Sequence, residues 1–202
     1  MTQISSPSPP AALPFEKKLS DRKPKNVTPK WRQLLAVMFN PAGLIQERIS
    51  TVSWLKTLLI PGLAFSLFFM QTALDQNFEG VRTLFLTLLG LLYGTVGIIF
   101  ISLIAWGGSR IFGGKTKATS AIRSFALAYS PTLIYVVLGF FANTFLGWRT
   151  AIAFGVTGVL WALGPMITTL RQMTGGKTVA SITLATICGA ILLFGWSILG
   201  GI

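Results

Sequence analysis

Five stretches of this chain, 55–74, 84–107, 124–141, 150–170 and 179–202, are apolar along almost their whole length, and Lys56 is the only charged residue inside any of them. Each has about the 20 residues that an α-helix rising about 1.5 Å per residue needs to cross a ~30 Å hydrocarbon core. Lipid offers no hydrogen bonds to the backbone, so runs of this length and composition are expected to be helical. The pattern predicts an all-α, polytopic membrane protein, a bundle of five transmembrane helices. Composition agrees: 52% of the residues are apolar and 11% charged, against about 25% charged in an ordinary soluble domain.

The placement of the cations gives the expected orientation. Of 17 Lys and Arg residues, fifteen fall before the first run, at its opening, or in the connections after the second and fourth runs. Only Arg82 and Arg149 fall in the alternate connections, and no charge follows the fifth run. The positive-inside bias therefore predicts a cytoplasmic N-terminus and a C-terminus outside. No apolar core with a small-residue cleavage site stands at the N-terminus, so the first span is expected to serve as the insertion signal.

Composition also bears on chemistry. The chain has no histidine, and its one cysteine, Cys188, lies inside the fifth run. The commonest general base and metal ligand are thus missing, and no disulfide framework can form within a monomer. Cys188 reads as a small packing residue, and no catalytic residue, metal or cofactor is expected. The two carboxylates Asp75 and Glu79 sit in one short connection at the membrane edge, unlike a hydrolase pair held on facing elements across a wet cleft. They read as solvated loop charges. The net charge of +12 does not point to nucleic acid, because most of it lies beside membrane spans, where anionic headgroups are the nearer partner.

Three regions follow. Residues 1–29 hold Ser, Pro and Ala and then dense charge with no apolar periodicity, and are expected to form a disordered basic cytoplasmic arm. Lys17, Lys18, Arg22, Lys23, Lys25, Lys30 and Arg32 are the expected contacts to anionic lipid or to an acidic partner. Residues 30–53 are expected to be interfacial amphipathic helices: Trp31, Leu34, Leu35 and Met38 recur at i, i+3, i+4, i+7, and Asn40 before Pro41 reads as an N-cap with proline in the first helical position. Residues 54–202 form the five-span domain, with Trp54 and Lys56 as anchors at the entry of span one.

Within the spans, Gly90 and Gly94 form a GxxxG pair and Ala185 and Gly189 a looser equivalent, which marks helix-packing faces. The sequence leaves open whether they pack within the chain or against another one. No ionisable residue lies near a span centre. Gly164-Pro165 reads as a kink near a helix end, with a small channel or carrier as the alternative.

Two connections read alike, Gly113-Gly114-Lys115-Thr116 and Gly175-Gly176-Lys177-Thr178. A phosphate-binding loop would need a glycine where Ser109 and Arg171 stand, and a preceding strand. The expected role is instead a glycine helix stop, a cation at the headgroups and a hydroxyl residue opening the next helix. Asn26-Val27-Thr28 matches the glycan acceptor pattern but falls on the expected inner side.

The order of these features is similar to that of the Yip family of small membrane proteins. Met38-Phe39-Asn40-Pro41 through Ser53-Trp54-Leu55-Lys56 precedes span one; an acidic outer loop and a glycine-rich second span follow, then Ile111-Phe112-Gly113-Gly114-Lys115, with Tyr129 and Pro131 in the third span. The resemblance runs from about Pro29 to the C-terminus. It implies a cytosolic N-terminal region and five spans. Eukaryotic members are associated with Rab-type GTPases, vesicle traffic and membrane shaping; their acidic Asp-Leu-x-Gly-Pro motif is absent ahead of span one here and the arm is basic, so the likeness is closer to bacterial members and does not carry a GTPase partner over. The expected function is that of a non-enzymatic membrane organiser or adaptor in a bacterial inner membrane or another internal membrane, with a membrane-protein partner or a homo-oligomer. An accessory or assembly subunit of a larger membrane complex is the alternative.

Overall fold

The computed structural model describes residues 53–199, and these are all-helical, with no strand among them. Six helices run in order: α1 (Trp54–Asp75), α2 (Val81–Ile111), α3 (Ala118–Ala128), α4 (Ser130–Leu146), α5 (Ala151–Met173) and α6 (Thr178–Leu199). With α3 and α4 in series, they make five helices long and apolar enough to cross a membrane, of 22, 31, 29, 23 and 22 residues. This is an integral, multi-pass membrane protein. Lys17, Lys18, Arg22, Lys23, Lys25, Lys30, Trp31, Arg32, Leu34, Leu35, Met38 and Pro41, all named above, lie outside the described residues.

Two spans outrun their apolar runs by more than a turn. The second starts three residues earlier, at Val81, and ends four later, at Ile111. At about 1.5 Å per residue its 31 residues reach about 46 Å, more than the ~30 Å hydrocarbon core, so the helix tilts or projects. The third begins at Ala118 instead of 124 and ends at Leu146. Its first turns carry Arg123, and a helix once nucleated continues through a charged residue.

The break between α3 and α4 falls at Tyr129 (φ −85°, ψ 4°), one residue before Ser130 and Pro131. Pro131 has no N–H to give to the carbonyl four residues back. The neighbouring hydroxyl supplies a donor instead: Ser130 Oγ donates to the Leu127 carbonyl at 2.7 Å. Tyr129 and Pro131, two of the residues that carry the family resemblance, therefore sit at this break, and both are buried.

The central helix is α1. It packs on α2 most extensively, then on α4, α3 and α5, and 61% of its spanning window is buried, against 22% for α2 and 28% for α6. Around it lies an aromatic core. Phe65 meets Tyr93 edge-on at 5.2 Å and Tyr129 at 5.9 Å, Phe69 meets Tyr93 at 5.7 Å, and Phe68 stacks on Trp196 of α6 at 4.5 Å. Offset and edge-on arrangements of this kind contribute about 0.5–1.5 kcal/mol each beyond burial.

Small residues admit that core. A Cβ on Gly90 would stand 2.5 Å from the Phe65 carbonyl oxygen, and one on Gly155 would stand 1.9 Å from the Phe68 ring. Gly90 and Gly94 both lie against α1, and Ala185 and Gly189 are buried on α6, where a Cβ on Gly189 would meet Leu163 of α5 at 2.9 Å.

Hydrogen bonds from side chain to backbone stitch neighbouring helices together inside the apolar layer: Ser66 to Thr87 O at 3.0 Å (α1–α2), Gln71 Nε2 to Val136 O at 2.7 Å (α1–α4), Thr132 to Gly158 O at 2.8 Å (α4–α5), and Tyr93 Oη to Leu192 O (α2–α6). Such bonds contribute about 0.6 kcal/mol on average in a bilayer. Gln71 therefore acts as a strut between α1 and α4.

Candidate functional site

The two ends of the bundle differ in charge and in how that charge is used. At the end holding the α1–α2 and α4–α5 connections, the described charges are Asp75, Glu79, Arg82 and Arg149. Asp75 is not the solvated loop charge expected from sequence. It is the last residue of α1, half-buried, and both its oxygens are engaged: Asn143 Nδ2 donates to Oδ1 at 2.5 Å and the Ala151 backbone N–H donates to Oδ2 at 3.0 Å. Ala151 is the first residue of α5, so the carboxylate meets an orphan N–H at the positive end of that helix. Asn143 also donates to Trp148 O at 3.0 Å, closing the α4–α5 turn around Gly147 (φ +66°). Arg82 lies over the Phe78 ring at 3.6 Å. Glu79 stays exposed, as expected.

The opposite end holds Lys56 in the first turn of α1, Arg110 in the last turn of α2 and Lys115 just after it, Lys117 and Arg123 at the start of α3, Arg171 at the end of α5, and Lys177 before α6. Seven cations share this end, and among the described residues no carboxylate stands there, since Asp75 and Glu79 are both at the other end. Six of the seven are exposed, and Arg123 is partly buried. Trp54 stands beside them, 36% exposed, with its carbonyl accepting from Thr57 Oγ1 at 2.7 Å. It has the surroundings of an interfacial ring.

The two similar loops meet here, which their separation in the chain does not reveal. Gly114 is buried, and a Cβ on it would stand 2.3 Å from the Met173 carbonyl oxygen and 2.9 Å from that of Ser109. Only glycine lets the first loop lie against the end of α5. Gly113 adopts φ +85°, and Gly114 N–H donates to Ser109 O at 2.9 Å, ending α2 in a left-handed turn. Lys115 is left exposed. From the second loop, Lys177 Nζ reaches Phe112 O at 3.5 Å and lies 5.5 Å from the Phe112 ring centroid. Trp106 Nε1 and Arg110 both donate to Thr116 O, at 2.9 and 3.3 Å. Thr174 and Ser181 share a buried hydroxyl pair at 2.9 Å, and Ser181 donates to Lys177 O at 2.7 Å.

This arrangement has the chemistry to bind anions at a surface. Fixed cations without carboxylates, carried on helix ends beside indole rings, repel one another in the protein alone and are relieved by negative headgroups. Sequence reasoning missed the Asp75 clasp and the pairing of Phe112 with Lys177. An acid at the end of an apolar run and an aromatic residue just past another were the available signals. Against family models, curated proteins and solved structures, the chain shows no significant match.

Proposed function

We propose that this membrane protein works by binding, as a membrane organiser or adaptor of the Yip type, with its cation-rich end and its N-terminal arm on the cytoplasmic side and its C-terminus outside. The observation that carries the reading is the layer of seven cations with no carboxylate beside them among the described residues at one end of the bundle. Each Lys or Arg beside an anionic leaflet contributes about 1 kcal/mol, so the layer seats the bundle firmly against that leaflet. Lys17, Lys18, Arg22, Lys23, Lys25, Lys30 and Arg32, which precede the described bundle in the chain, are proposed to engage a second anionic surface or an acidic partner. The membrane is proposed to be a bacterial inner membrane or another internal membrane.

The test uses the full chain held in neutral-lipid nanodiscs and its association with vesicles containing anionic lipid. Association is expected to fall with added salt, and to fall again when Lys17, Lys18, Lys23 and Lys25 are made neutral. Association unchanged by those four substitutions defeats the tethering role.

A specific observation favours a second reading, an accessory subunit of a larger membrane complex. The longest span, α2, is also the most exposed, with Leu84, Leu88, Leu92, Val96, Phe100 and Leu103 along one open face. Extraction in mild detergent distinguishes the two: a stoichiometric membrane partner, lost on placing a charge at Leu92, supports the subunit.

A further inference from the structure

Between Phe112, just past α2, and the first two turns of α6 lies an open groove of about 530 Å³, walled by Val179, Ala180, Thr183 and Leu184 and bounded at one end by Lys177. Its lining is almost wholly apolar apart from that lysine, Thr178 and Thr183. Leu184 closes its floor by packing on Gly108 of α2, where a Cβ would stand 2.8 Å from the leucine methyl. The groove thus runs along the α2–α6 seam and faces away from the bundle, where the surrounding solvent is lipid.

We infer that this groove is a binding site for one anionic phospholipid of the cation-side leaflet, its acyl chain along Val179, Thr183 and Leu184 and its phosphate at Lys177. The occupant follows from charge. The Lys177 ammonium has three N–H donors; it stands 3.5 Å from Phe112 O at the mouth of the groove, a long contact that leaves donors for an acceptor. Among the described residues no carboxylate stands at this end of the bundle to take them; Asp75 and Glu79 lie at the other. Arg110 and Lys115, on either side of Phe112 in the chain, add positive potential at the same level. A soluble anion would gain only the cations. A phospholipid gains them together with apolar burial in a groove of the size that holds small ligands. The inference rests on the membrane-embedded reading and not on any role of residues 1–29.

Lipids retained by the full chain, taken from bilayers of equal phosphatidylcholine and phosphatidylglycerol into detergent, are counted by native mass spectrometry. One phosphatidylglycerol is expected to be retained in preference to phosphatidylcholine. K177Q is expected to cut that retention about fivefold, the equivalent of one juxtamembrane cation. A180F, which fills the groove and leaves the charge in place, is expected to cut it as well, whereas R149Q at the other end is not. Glycerol phosphate added in solution is expected not to displace the lipid, and displacement would overturn the lipid assignment in favour of a soluble anion. Equal retention of the two lipids, or wild-type retention in both K177Q and A180F, overturns the site. Neutral Lys17, Lys18, Lys23 and Lys25 are expected to leave retention unchanged, so the groove and the tethering role fail separately.

Discussion

Gly94 of α2 lies against the backbone of Pro61 in α1: a Cβ on the glycine would stand 2.3 Å from the proline carbonyl oxygen and 2.8 Å from its carbonyl carbon. A backbone cannot rotate away as a side chain can, so G94A must push the two helices apart. Overpacking of this kind costs about 1–3 kcal/mol, and a clear fall in thermal midpoint in detergent is expected. Gly107 on the same helix has open space where its Cβ would be, and G107A is expected to be neutral or to stabilise by up to about 1 kcal/mol through helix propensity. Equal behaviour of the two variants would contradict the α1–α2 packing.

Asp75 is expected to matter to stability although it lies at the membrane edge. D75A removes the acceptor for Asn143 and for the Ala151 N–H, and loss of a helix cap costs about 0.5–2 kcal/mol. E79A is expected to change nothing measurable. Chemical unfolding of the two variants in one detergent decides the matter, and a neutral D75A would mean that the clasp does not hold α1 to α5.

The difference between these two acids shows where sequence reasoning stopped. Asp75 and Glu79 stand four residues apart beside the same apolar run, yet the partner of Asp75 is 76 positions away in the chain. Hydropathy periodicity carries no information at that range. The spans themselves were legible because lipid imposes length and apolarity together. Their ends were less so: Arg110 and Arg123 lie beyond the apolar runs yet are helical, because charge marks the end of the apolar layer and not the end of the helix. Gly90 and Gly94 were recognisable as a packing face, but which helix they face depends on tertiary structure. Likewise, the two Gly-Gly-Lys-Thr strings were visible as motifs without any sign that Gly114 would rest on Met173.

The break in the third span gives a coupled prediction. S130A removes the hydroxyl that reaches the Leu127 carbonyl beside the proline and is expected to cost about 1 kcal/mol. P131A restores an N–H four residues on from that carbonyl. In the P131A background the S130A cost is expected to shrink, and a double-mutant cycle reads the coupling directly. Additive effects would show that the serine does not stand in for the missing donor.

Cys188 is buried and the chain contains no other cysteine, so maleimide labelling reports how firmly α6 is held. Tyr93 Oη donates to Leu192 O across the α2–α6 contact, and Y93F removes that bond. Faster labelling of Cys188 is expected in Y93F than in the wild type, with only a small loss of global stability, since one such bond contributes about 0.6 kcal/mol. Labelling at the wild-type rate would mean that the aromatic contacts alone fix α6.

The orientation of the bundle is tested most directly by single-cysteine labelling. In a C188A background, R149C and K177C are exposed to a membrane-impermeant maleimide, first with intact cells and then after permeabilisation. R149C is expected to react from outside, and K177C only once the membrane is opened. Labelling of K177C in intact cells, or protection of R149C there, contradicts the placement of the cation-rich end on the cytoplasmic side.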